Sequence, residues 1–225
     1  MMAHLTVMTA TDDLTLDELR AALAPLLPAE AAFEGWTPAA LAAAALRLGV
    51  PADRARLAID GGAVALIDAW FAAIDDAMAA ALPPGHLAAM KIRARITALV
   101  EARLAIVAPH REALRRAVAV LAQPANVAAA ARLGWRAADA MWALAGDRAT
   151  DIAHYTKRLT LSGVYAATIL AFLDDESEGH ADTRAFLARR IDGVMRFEKL
   201  KAQLRPDPDR HFSATRFLGR LRYPG

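Results

Sequence analysis

Residues 36–59, WTPAALAAAALRLGVPADRARLAI, decide how the rest of the chain is read. Thr37 followed by Pro38 opens a helix, because proline at the first helical position gives up no hydrogen bond. Gly49 and Pro51 close it, and a second short helix follows at about 52–59. Two short helices joined by a glycine-containing turn have the shape of a helix-turn-helix. Reading DNA with that shape requires donors aimed at base edges and cations near phosphates. The second helix offers Arg54 and Arg56, but also Asp53 and Asp60, and no Asn, Gln, Ser, Thr or Lys. The first 60 residues carry four arginines against eight acids, a balance that repels a duplex. The shape is therefore read as a structural relic, and no nucleic-acid partner is expected.

Working outward, apolar residues recur at spacings of three and four, alanine is abundant and aromatics amount to 6% of the 225 residues, so the chain reads as all-α. Thr15-Leu-Asp-Glu18 is a capping box that starts a helix ending near Pro28. Gly61-Gly62 precedes a long helix over 63–82 with Leu66, Trp70, Ile74 and Met78 one turn apart. Pro83-Pro84-Gly85 separates this part, residues 10–82, from a larger helical part over 86–205. There, Ile92, Ile96, Leu99, Arg103 and Ile106 mark one stripe, and Leu114, Ala117, Val118 and Leu121 another. Asn126 is the expected N-cap of a helix from 127 to 145 that ends at Gly146. Residues 151–173 are apolar nearly all round and predict a central helix; a polar-capped helix over about 181–204 follows.

The absence of cysteine removes disulfides and thiol chemistry and fits a reducing compartment, with the cytosol expected. No apolar run reaches the roughly 20 residues of a membrane span, and residues 1–20 show no basic region followed by an uninterrupted apolar core, so export is not expected. The formal charge of +2 is unevenly placed. Residues 196–225 carry eight Lys/Arg against three acids, whereas the rest holds nineteen against twenty-two. Pro206 and Pro208 uncouple a tail over 206–225 in which Ala214, Phe217, Leu218 and Leu221 share one helical face, with Arg216 and Arg220 on another. Such a tail either lies in a membrane interface near anionic lipid or packs back on its own domain.

Asp147, Asp151 and His154 share a helical face but supply at most half of a dinuclear site, and read instead as a helix cap with a surface histidine; no metal, cofactor or catalytic residue is expected. Trp142 and Tyr155 flank the turn Ala145-Gly146-Asp147 and are expected to meet across it, either as a packed corner or, with Met141, as a binding patch. Ser162, Gly163, Ala166 and Ala167 put small residues where bulk is expected, permitting either close helix approach or a cavity between 92–106, 127–142 and 151–173.

The run MWALAGDRATDIAHYTKRLTLSGVYAATILAFLDDESEGHADTRAFLARRIDGVMRFEKLKAQL, residues 141–204, resembles the COQ9 family of ubiquinone-biosynthesis accessory proteins. Met141-Trp142, Ala145-Gly146-Asp147, Thr150-Asp151, Tyr155-Thr156-Lys157-Arg158, Tyr165, the acidic turn at 174–176 and Phe186-Leu187 with Arg190 carry the resemblance. Phe33-x-Gly35-Trp36 extends it weakly toward the N-terminus. The resemblance implies a TetR-like fold without DNA reading, with a cavity for an isoprenoid or other lipid at Ser162, Gly163, Ala166, Ala167 and Ile169. It implies membrane contact through Phe217, Leu218, Leu221, Arg216 and Arg220. It further implies presentation of a quinone precursor to a demethoxyubiquinone hydroxylase through Asp139, Met141, Trp142, Asp151, His154 and Tyr155. His154 stands where an aromatic is familiar in the family, making the patch less apolar. A homodimer attached to the inner face of the cytoplasmic membrane is the expected form. The competing reading is a TetR-type regulator with a hydrophobic effector, which the acidic N-terminal part disfavours. Deleting residues 209–225 is expected to leave the melting transition intact and to reduce co-sedimentation with anionic vesicles.

Overall fold

A computed structural model describes residues 13–204, all-helical with short connections. The order is α1 (Leu16–Leu23), α2 (Leu27–Glu34), α3 (Pro38–Leu48), α4 (Ala52–Ala58), α5 (Gly62–Ala81), α6 (Pro84–Ala88), α7 (Ile92–Val107), α8 (Arg111–Leu121), α9 (Val127–Leu144), α10 (Ile152–Asp174) and α11 (Ala181–Leu204). Three-residue 3-10 turns at 108–110, 124–126 and 178–180 join α7 to α8, α8 to α9 and α10 to α11. The membrane-binding residues expected at 216–221 lie outside the described residues. No single helix among the described residues is long and apolar enough to cross a membrane.

The expected capping box starts α1: the Glu18 amide donates to the Thr15 hydroxyl at 3.3 Å and the Thr15 amide to the Glu18 carboxylate at 2.8 Å. The first helix, however, stops at Leu23 rather than near Pro28. Pro28 instead lies in the first turn of α2, where its missing N–H costs nothing. Asn126 also departs from its expected role. Its amide points backward and donates to the Val120 carbonyl at 2.8 Å, so α9 begins without a side-chain cap. In α3, Gly49 takes the left-handed conformation (φ 75°), which lets the chain turn sharply into α4.

One core runs through both parts of the chain. Trp36, before α3, stacks on Trp70 of α5 with ring centroids 5.2 Å apart, and its indole N–H donates to the Ala113 carbonyl of α8 at 3.0 Å. Leu66, Trp70, Ile74 and Met78 are all buried, so the four-residue spacing read from the sequence is the core stripe of α5.

Charges also reach into this core. Arg103 of α7 is 1% exposed, paired with Asp75 of α5 and lying 5.0 Å from the centre of the Tyr165 ring of α10. Asp75 also faces the Arg136 guanidinium of α9 at 3.3 Å, Arg136 pairs with Asp68, and Asp68 reaches Arg20 of α1 at 3.0 Å. Two aspartates two turns apart on one face of α5 thus tie α1, α7 and α9 together. Removing one partner of a buried pair costs about 3–5 kcal/mol because the other is left charged and dry. Asp75→Ala is expected to lose stability in that range on urea denaturation, and Asp75→Ala/Arg103→Met to recover much of the loss.

Candidate functional site

The site is built around α10, whose three faces do different work. Arg158, Leu161, Tyr165, Ile169 and Phe172 point into the core. Toward α9, the Ser162 hydroxyl donates to the Gly134 carbonyl at 2.9 Å. Ile152, Tyr155, Leu159 and Leu170 are exposed, Leu159 by 69% and Tyr155 by 61%. The expectation of a central helix is thus corrected: α10 is apolar nearly all round because its outer face is an apolar surface, not because every face is buried.

A lock of opposite charges holds the turn before α10. Asp147, almost wholly buried, accepts from Lys157 at 2.6 Å and from Arg158 at 3.1 Å, and Arg158 also bonds Asp139 at 2.5 Å. Burial pushes the Asp147 carboxyl up, but hydrogen bonds from Lys157 and Arg158 outweigh it and hold the group below the usual carboxylate range. Gly146 takes φ 86°, and the Arg95 guanidinium approaches to 3.3 Å of where a Cβ would stand while donating to the Ala145 carbonyl at 2.8 Å. A side chain at 146 would meet both the strained backbone and that arginine. Asp151 caps α10, accepting from the Ala153 amide at 3.1 Å. His154 Nδ1 lies 3.0 Å from the Ala149 carbonyl. Asp147, Asp151 and His154 therefore serve separate partners, and no group of three or more metal-ligating side chains converges among the described residues.

The expected aromatic pair does not form. Trp142 turns inward, its N–H donating to the Lys157 carbonyl at 3.1 Å and its ring 5.4 Å from the Lys157 ammonium. Tyr155 turns outward onto Trp135, 6.0 Å away, and His154, 5.2 Å away. Met141 is fully buried, so it supports the patch from beneath and cannot be touched by a partner. Trp135, Ile152 and Leu159 join the surface instead. Residues 152, 155 and 159 lie on one helical face by spacing, a signal masked by the apolar residues on every other side.

A cavity of about 650 Å³ opens beside α10. Ile92 and Ile96 of α7, Trp142, Thr160, Leu161 and Val164 of α10, and Ile191 and Val194 of α11 line it. It lies between α7, α10 and α11, with α9 contributing only its last turn, which corrects the expected wall over 127–142. Of the residues expected to line it, Gly163 and Ala167 border an adjoining groove of about 470 Å³, Ser162 faces α9, Ala166 is exposed and Ile169 is in the core. The physical reason is helical spacing: 162, 163, 166 and 167 cover too wide an arc to share one wall.

The helices that build this site coincide with a recognisable segment. Residues 127–198 match the COQ9 family. The stretch whose motifs carried the resemblance falls almost wholly inside that match. The cattle mitochondrial ubiquinone biosynthesis protein COQ9 is 30% identical over 167 residues, 72% of this chain and 52% of its own length. The frog Xenopus tropicalis protein of that name is 38% identical over 96 residues, 43% of this chain and 30% of its own length, and the human one 36% over the same shares. The chain thus spans no more than about half the length of these relatives. A solved TetR transcriptional regulator from Nitrosomonas europaea superposes with TM-score 0.63 at 26% identity, covering 80% of this chain and 99% of that one. The fold is TetR-like.

The lock before α10 has a pH signature. A carboxyl held below its ordinary range stabilises the fold above the unfolded pKa of about 3.9, and that contribution fades as pH falls toward the lower folded value. Asp147→Ala is expected to lower the thermal midpoint at neutral pH, with the deficit shrinking below about pH 4.

Proposed function

We propose that this protein is a lipid-binding accessory factor of ubiquinone biosynthesis. It holds an isoprenoid quinone precursor in the cavity between α7, α10 and α11 and presents it at the membrane to a demethoxyubiquinone hydroxylase. The observation carrying the reading is a coincidence of position: the segment matching the COQ9 family is the same α9–α11 unit that both borders the apolar cavity and exposes the Trp135–Tyr155–Leu159 surface. An apolar cavity of this size suits a lipid chain. An exposed aromatic and aliphatic surface beside its mouth suits a protein partner. Asp139, Trp142, Asp151 and His154 support that surface, which belongs to a homodimer attached peripherally to the inner face of the cytoplasmic membrane through the tail.

The alternative, a transcriptional regulator, draws on the TetR-like fold and the helix-turn-helix shape of α3 and α4. Two observations weigh against it. Arg54 donates to the Leu14 carbonyl and Arg56 pairs with Asp53, so both cations of α4 are engaged within the chain, and the exposed apex of that helix is Leu57.

Tyr155 provides the test. Its exposure predicts that Tyr155→Ala changes stability by less than about 1 kcal/mol, whereas truncating an interface anchor costs about 2 kcal/mol or more of binding. Loss of hydroxylase pull-down at an unchanged thermal midpoint is the expected result; retained pull-down assigns the aromatics to packing alone.

A further inference from the structure

The cavity and the adjoining groove share Thr156, Thr160 and Val164 of α10 and Val194 of α11. Two threonines and two valines thus border both a cavity of about 650 Å³ and a groove of about 470 Å³. The groove is open at its glycines: a Cβ on Gly163 or Gly193 would meet no atom within 4 Å.

The charge at its edge is one-sided. Arg189 and Arg190 of α11 border the groove. Arg190 lies 4.9 Å from the centre of the Phe186 ring, while Arg189 is exposed and has no hydrogen bond or ion pair among the described residues. Both signs border the larger cavity: Asp147 is held by Lys157 and Arg158, Asp151 by the first turn of α10, Arg93 by Asp192 and Arg95 by the Ala145 carbonyl, while Arg148 is exposed. The Thr156 hydroxyl donates to the Ile152 carbonyl at 3.0 Å, whereas that of Thr160 is unengaged among the described residues. An uncompensated guanidinium and a free hydroxyl thus border one groove beside an apolar cavity.

We infer that the joined clefts select an anionic amphiphile, whose chain fills the cavity between α7, α10 and α11 and whose carboxylate or phosphate is met by Arg189 in the groove between α10 and α11. A guanidinium is suited to either oxyanion by its planar fork of donors. A neutral lipid would fill the cavity equally well and leave Arg189 without a partner. This inference rests on the lipid-carrying reading but departs from its cargo: the ring handed to a demethoxyubiquinone hydroxylase is uncharged, so the ligand selected by Arg189 is a phospholipid or an earlier, still carboxylated precursor.

The experiment is a fluorescence titration of the delipidated full chain at neutral pH with cis-parinaric acid and, separately, its methyl ester. The two probes share one chain and differ in charge. The acid is expected to bind about tenfold tighter, as one charge-assisted contact provides. Arg189→Gln is expected to abolish that preference and leave the ester unaffected. Arg189 makes no contact that folding needs, so the variant should keep its thermal midpoint. Arg132→Gln, at an exposed arginine of α9, removes the same net charge and is expected to change neither affinity. Equal binding of acid and ester, or a preference that survives Arg189→Gln, overturns the inference while leaving lipid binding standing. Binding of neither probe overturns both. Displacement of the acid by lysophosphatidylglycerol but not lysophosphatidylcholine assigns the anion to a phospholipid headgroup. Displacement by a farnesylated benzoate alone assigns it to a carboxylated ring. Equal displacement by lysophosphatidylcholine overturns the anionic requirement.

Discussion

A guanidinium shut off from water organises this molecule. Arg103 sits where α5, α7 and α10 meet, with Asp75 on one side and the face of Tyr165 on the other. A buried cation of this kind tolerates little displacement of its partners, because water cannot replace a lost contact. The restriction spreads along α5. Asp75 is shared with Arg136 of α9, and Arg136 with Asp68, which holds α1. Leucines at these points would bury as much apolar surface but would set no angular register between the helices. The paired charges do.

From that frame, α10 acquires its division of labour. Its inner face is committed by Tyr165, Ile169 and Phe172, and its C-terminus by Arg111, which donates to the Phe172, Leu173 and Asp175 carbonyls at 2.8–2.9 Å. A second lock at Asp147 fixes the N-terminal end. With both ends and the core face held, and Ser162 bonded to α9, two remaining arcs need not contribute to folding. One lines the cavity with Thr156, Thr160 and Val164, and the other presents Ile152, Tyr155 and Leu159 to solvent. A cavity and an exposed apolar surface each forgo burial, and burial is the main favourable term in folding. Their concentration on one helix, bracketed by the Asp147 ion pairs at one end and the Arg111 hydrogen bonds at the other, is what relates this architecture to the proposed carrier role.

The N-terminal part supplies a contrast. It keeps the helix-turn-helix shape and packs it firmly through Trp36 and Trp70, yet its arginines are engaged by the Leu14 carbonyl and by Asp53. Shape is maintained by the core; the chemistry for reading a polyanion resides on a surface that the core does not constrain. The two can therefore separate, and fold likeness to a transcriptional regulator carries no activity with it.

By itself the sequence determined the helical class, the helix boundaries set by Thr15, Pro38, Gly49, Gly146 and Asp151, and the buried stripe of α5, because these depend on local capping and on a 3.6-residue period. It also contained the motifs of residues 141–204. Tertiary structure alone decided which side of α10 is which. A helix apolar all round has no periodic signal from which to choose a core face, so spacing alone pairs Tyr155 with Trp142, whereas its neighbour is Trp135, and it leaves Met141 on the surface although that side chain is fully buried. The contribution of α11 to the cavity, and the meeting of Arg103 with Asp75 across 28 positions of chain, are likewise products of packing between distant segments, to which no local periodicity refers.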